Sequence, residues 1–124
     1  MNYKNKYSDL PTDGRVLNGV VTSVSLGIED HGLLSSFVHV DRSDGCSQGF
    51  GGWALYLPSS FKHHELKSVA GHFITRVIEV CGVTDWNKVV GKAIRICEKD
   101  GVIIAIGHII RDDWFIPKYD FETV

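Results

Sequence analysis

The hydrophobic patterning predicts an α+β fold: a mostly antiparallel sheet of about five strands, in the order β-β-β-α-β-β, with one main amphipathic helix packed on it. Three observations carry this. Residues 16–28 alternate with period two. Leu66, Val69, Ala70, Phe73, Ile74, Val77, Ile78 and Cys81 recur at the three-and-four spacing of a helix. Residues 102–111 are apolar at nearly every position, as in a strand covered on both faces.

Residues 1–14 are polar and include Pro11 and Asp13-Gly14, which reads as a loose N-terminal arm ending in a turn. In the first strand Val20, Thr22, Val24, Leu26 and Ile28 point one way, and Val21, Ser23, Ser25 and Gly27 the other. Glu29 to Gly32 makes a turn. Leu33 to Asp41 gives a second strand, and the short connection favours an antiparallel hairpin. Residues 41–48 turn again, and Gly49 to Leu57 forms a third strand stopped by Pro58. Ser59 or Ser60 suits a helix N-cap, and Gly82 suits the position just past the helix end. His72, Thr75, Arg76 and Glu79 fall on the polar side of that helix, so His72 is expected to tolerate alanine. Thr84-Asp85-Trp86 opens a short turn or helix, closed by Gly91-Lys92. Ala93 to Glu98 is a fourth strand, Lys99-Asp100-Gly101 a tight turn, and Val102 to Arg111 a fifth. The tail from Asp112 carries Trp114, Phe115, Tyr119 and Phe121 and is expected to pack on the body. The tail, the 83–92 segment or a second subunit could cover the remaining sheet face.

A chain of 124 residues fits one domain spanning 1–124. Its hydrophobic content of 44% and charged content of 23% are ordinary globular values and argue against disorder. A net charge of −2 and a pI near 6.3 give no electrostatic footprint for duplex nucleic acid, although a local basic patch is compatible with them. No apolar run approaches a membrane span, and the basic N-terminal residues have no apolar core after them, so they do not read as a secretion signal. The three cysteines, Cys46, Cys81 and Cys97, have no metal-ligand spacing and read as free thiols in a reducing compartment. Cys81 and Cys97 fall in apolar patterns, whereas Cys46 sits in a Gly/Ser loop.

The stretch Gln48-Gly49-Phe50-Gly51-Gly52 sets three glycines beside aromatics at a strand start. Glycine there marks a bulge, or a place where a backbone or ligand comes close. Its spacing is not that of a dinucleotide fingerprint, and it has no P-loop lysine. Glu29-Asp30-His31 is the densest polar cluster. It is either a solvated turn tip or a group able to shuttle a proton or hold a metal. His108 interrupts the most buried strand, as a hydrogen-bonded core residue or as part of a site. Trp114, after Arg111-Asp112-Asp113, either closes the core or anchors a partner. The six histidines show no ligand spacing, so neither a cofactor nor a metal is expected.

Residues 22–32 (Thr-Ser-Val-Ser-Leu-Gly-Ile-Glu-Asp-His-Gly), Gln48-Gly49-Phe50-Gly51-Gly52 and residues 107–115 (Gly-His-Ile-Ile-Arg-Asp-Asp-Trp-Phe) resemble blocks of a family of small uncharacterised proteins of tailed bacteriophages and prophages. The resemblance covers most of residues 18–121 and implies an origin, in the infected host's cytoplasm, rather than an activity. It favours a non-enzymatic accessory protein that binds a host protein or a small ligand, for example to counter host defence or sequester a signal nucleotide. The binding surface would be built from Glu29, Asp30, His31, Gln48, Phe50, Gly51, His108 and Trp114, with the 29–32 and 48–52 stretches side by side. A homodimer is also compatible. The alternatives are a small enzyme using Glu29, Asp30, His31 and His108, and a nucleic-acid module using Arg15, Lys92, Arg95 and Arg111, which the charge balance disfavours.

Overall fold

The computed structural model describes residues 4–29, 32–56 and 68–122. It is an α+β fold with a six-stranded antiparallel sheet ordered β3-β2-β1-β4-β5-β6. The strands are β1 (Arg15–Ile28), β2 (Leu34–Arg42), β3 (Ser47–Gly51), β4 (Ala93–Lys99), β5 (Val102–His108) and β6 (Trp114–Phe115). The helix α1 (Ala70–Cys81) lies between β3 and β4 and packs on β4, β5 and β6. A short helix α2 (Pro117–Glu122) follows β6.

The long first strand organises the sheet. Its first part, Arg15 to Val20, pairs with β4, and its second part, Gly19 to Ile28, pairs with β2. A bulge falls between Val21 and Ser23. A bulge bends a strand and shifts its parity by one residue. Simple alternation therefore fails here: Val21 is in the core and Val20 is exposed, while beyond the bulge Val24 faces inward as its pattern indicated.

The β4–β5 hairpin turns on Asp100 and Gly101, both at positive φ (53° and 80°), the two-residue turn whose twist matches its strands. At the other end β5 stops at His108 rather than running to Arg111. Residues 109–111 leave the ladder because the chain must return at once as β6, where the His108 N–H donates to the Asp113 carbonyl (3.0 Å). Ile110 is left 82% exposed.

The apolar face of α1 is as its spacing requires. Phe73, Val77, Val80 and Cys81 are buried, and Gly82 ends the helix in the left-handed conformation (φ 72°). The helix begins at Ala70; Ser59, Ser60, Leu66, Leu57 and the adjacent histidines 63 and 64 lie outside the described residues. Phe73 sits in an aromatic cluster with Phe50, Trp53 and Phe115, ring centroids 5.6–6.3 Å away.

Two side chains read as polar-face residues are drawn in. Arg76 is 3% exposed, with its guanidinium on Asp113 Oδ1 (2.6 Å), the Trp114 carbonyl (3.1 Å) and Glu79 Oε1 (3.0 Å). His72 Nε2 lies 2.7 Å from Asp120 Oδ2, and the Asn5 side-chain amide donates to Asp120 Oδ1 (2.8 Å). The helix thus has a second packing flank, against β6, α2 and the N-terminal segment.

That segment is not loose over its described part. Asn5 exchanges two backbone hydrogen bonds with Trp114 (3.1 and 2.8 Å), and the Tyr7 N–H donates to Asp112 Oδ1 (2.6 Å). Leu10 and Val16 join Cys97, Ala105, Trp114 and Ile116 in a second apolar cluster. Over β4 and β5 the second sheet face is therefore covered by the arm's Leu10 with Trp114 and Ile116.

The connectivity is distinctive. β1 serves two ladders, the helix joins β3 to β4, and β3 comes back to within 8 Å of β5 in Cα positions without pairing to it. This is the path of the five-stranded OB-type Greek-key barrel, here open between β3 and β5 and extended by β6.

Candidate functional site

The open seam between β3 and β5 gives the glycine-rich stretch its setting. The Gly52 N–H donates to the Ser36 carbonyl (3.0 Å) at one end of the β2–β3 ladder, and the Arg42 N–H donates to the Cys46 carbonyl (2.7 Å) at the other. Antiparallel pairs alternate between bonded and non-bonded. Between those ends, the bonded pairs are therefore Val38–Phe50 and Val40–Gln48, and the non-bonded ones are Phe37–Gly51 and His39–Gly49. Gly49 and Gly51 consequently direct both N–H and C=O away from β2, into the seam.

A cavity of about 480 Å³ lies there. One wall is Gly49, Gly51 and Trp53. The opposite wall is the β4–β5 hairpin from Lys99 to Ile104. Pro11, Ile116, Lys118 and Tyr119 close the third side. At the start of β3 the seam is bridged. Arg42 donates to Gln48 Oε1 (2.6 Å), which orients the amide so that Nε2 donates to the Gly101 carbonyl (2.7 Å). The amide thus ties the start of β3 to the β4–β5 turn.

The glycines themselves answer first to packing. Gly51 has φ 144°, and a Cβ there would collide with the Ser36 carbonyl oxygen. A Cβ at Gly52 would lie 3.0 Å from the Phe37 ring, and one at Gly49 3.2 Å from it. Their absence lets Phe37 lie over β3, stacked on His39 at 5.9 Å. The close approach expected at this stretch is that of β2.

The other sequence candidates disperse. Glu29 accepts from the Gly32 N–H (2.8 Å) and donates its own N–H to Leu33 (2.9 Å), closing the β1–β2 turn; Asp30 and His31 lie outside the described residues. Gly51 pairs three residues from the β2 start, roughly 10 Å along the strand, whereas Gln48 pairs six residues from it, roughly 20 Å. The meander thus carries Gln48 away from the turn. Phe50 and Trp114 are fully buried and present no surface to a ligand. Trp114 closes the second apolar cluster under the Arg95 guanidinium, 5.1 Å from its ring.

His108 stands at the end of β5. Its Nδ1 accepts from the backbone N–H of Ile110 (3.1 Å) and Arg111 (3.0 Å), so it caps the 109–111 turn. Burial, then neighbouring Arg111 and Arg95, push its pKa below the ordinary histidine value, against Asp113. Its ladder partner Ile94 pairs with Gly19, and Glu29 lies ten residues farther along β1, roughly 30 Å of strand. The structure does not bring Glu29 and His108 together. Nor do the basic candidates form a track: Arg15 pairs with Asp44 (2.7 Å), and Arg95 donates to the carbonyls of His108 and Arg111 (both 2.8 Å).

Among the described residues no group of three His, Cys, Asp or Glu side chains is placed to hold a metal, and no helix is long and apolar enough to cross a membrane. The cysteines are free, with Cys46 exposed and the other two buried. Burial raises the Cys81 thiol to about 12, partly offset by Lys92. Burial, with Asp13 and Glu98, raises that of Cys97.

Sequence reasoning missed Trp53, Lys99, Val102, Ile104, Lys118 and Tyr119 as cavity residues. The one legible hint was Gly49 and Gly51 in a strand; the rest meet only because β3 returns to β5. No protein-family model matches the chain, and no curated protein is significantly similar to it.

Proposed function

We propose that this chain is a non-enzymatic binding module that takes a small ligand in the seam cavity. The carrying observation is that Gly49 and Gly51 turn backbone donors and acceptors, unpaired among the described residues, into a cavity of about 480 Å³. Small-molecule sites have this size and this mix of apolar walls with a few polar groups. The sequence resemblance to phage proteins would fit such binding to an accessory role during infection, such as removal of a host-made compound.

Analogy with other OB-type barrels would point to single-stranded nucleic acid. Such binders line the strand face with cations. Here the outward positions on β1, β2 and β3 beyond the bulge are Ser23, Ser25, Gly27, Ser35, Phe37, His39, Asp41, Ser47, Gly49 and Gly51, with no lysine or arginine. A host protein is the second reading, favoured by Leu26 and Ile28, 43% and 75% exposed at the end of β1.

The test is a fragment screen followed by amide NMR shifts. Binders should move the amides of Gly49, Gly51 and Val102. They should be lost on Val102→Trp, which fills the cavity from a position 58% exposed and so spares the core. A library that leaves those amides unmoved refutes the seam as a ligand site.

A further inference from the structure

Resting on the seam cavity as a ligand site, we infer that its ligand class is a nucleotide: a planar nucleobase carrying a phosphate. Four features of the seam converge on this chemistry.

The first is the strand edge. A residue whose N–H and C=O both leave the ladder on one side offers a donor and an acceptor side by side. Gly49 and Gly51 each do so. The complement is a rigid ring with an adjacent acceptor and donor, which every nucleobase presents on its pairing edge. The second is the wall. Trp53 and Tyr119, with Val102 and Ile104, offer flat and apolar surface for the faces of a ring.

The third is charge. Lys99 and Lys118 line the cavity beside Asp100. Asp13 pairs with Lys99 at 3.6 Å. A phosphate can take charge-assisted hydrogen bonds from Lys118, which a base alone does not. The fourth is the bridge at the start of β3. An extended peptide could use the same glycine edge by strand addition. It would have to run along β3 past Gln48, where the bond to Gly101 bridges the seam. That bridge favours a compact ligand over a chain.

The experiment is calorimetric titration of the intact protein with AMP, GMP, CMP and UMP, their four nucleosides, and ribose 5-phosphate. At least one monophosphate should bind, and its nucleoside about tenfold more weakly for loss of the lysine contacts. Ribose 5-phosphate should not bind measurably. Lys118→Ala should reduce the monophosphate toward the affinity of its nucleoside while leaving the nucleoside unchanged. Val102→Trp should abolish both.

Ribose 5-phosphate binding as tightly as the nucleotides would overturn the inference, because the base would then not be read. So would the absence of binding by all four monophosphates at millimolar concentration. If fragments still move the Gly49 and Gly51 amides in that case, only the ligand class falls. If fragments fail as well, the cavity reading falls with it.

Discussion

Asp113→Ala offers the sharpest test of how the helix flank is held. Arg76 is buried in the interior of α1, and its Nη2 rests on Asp113 Oδ1 at 2.6 Å. Burial alone would lower the pKa of the guanidinium; Asp113 and Glu79 more than reverse this, so the cation is held by its partners. Removing one partner of a buried pair costs about 3–5 kcal/mol, because the remaining charge stays desolvated. Here Glu79, on the more exposed side, and the Trp114 carbonyl still bond to Arg76, which places the loss at the low end, about 3 kcal/mol. For a chain of this length, with an unfolding entropy of about 2.1 cal/mol/K per residue, that lowers Tm by about 12 °C. Urea melts followed by circular dichroism at neutral pH measure it directly. The double variant Arg76→Met/Asp113→Ala removes both charges and should recover much of the loss, since an apolar replacement of a buried pair is often neutral or better. A cost below about 1 kcal/mol for Asp113→Ala, or strict additivity of the two single losses, would refute the assignment of Arg76 to a coupled buried pair.

Three further outcomes follow from the same packing. Phe73→Ala should cost about 3–5 kcal/mol, as for a fully buried ring, while His72→Ala should cost about 1–2 kcal/mol in the same melts for the bond lost to Asp120; an unchanged melt for His72→Ala would return that residue to the solvent face. A thiol reagent should titrate one cysteine in the native protein and all three after denaturation, without reductant; a disulfide would contradict the free thiols. Stability should also fall with acid through His108. Its folded pKa lies below its unfolded value, so the unfolded chain binds the proton more tightly. The contribution is complete above the unfolded value and is lost as pH drops through the folded one. Melts at pH 7.5 and 5 should therefore show a smaller loss for His108→Gln than for the wild type, and equal losses would exclude the residue as a contributor.

The sequence by itself determined the elements whose pattern is local. The α1 face of Phe73, Val77 and Cys81, its stop at Gly82, the β1–β2 and β4–β5 hairpins and the α+β class all follow from periodicity and turn chemistry within a few residues. Periodicity reports one burial direction per element, so it placed His72 and Arg76 on a solvent face. Only the docking of Asn5, Asp113 and Asp120 from distant parts of the chain gave the helix a second buried flank. Alternation likewise assumes an unbroken ladder, and the bulge before Ser23, which lets β1 serve two partners, reversed the parity of its first half. The 48–52 glycines were legible as a special place, but their reason, the fit of Phe37 and the Ser36 carbonyl, lies on another strand. The cavity lay beyond reach of any local pattern. Its walls come from residues 11, 49–53, 99–104 and 116–119, and they meet because the barrel path brings β3 back beside β5 and then leaves that seam unpaired.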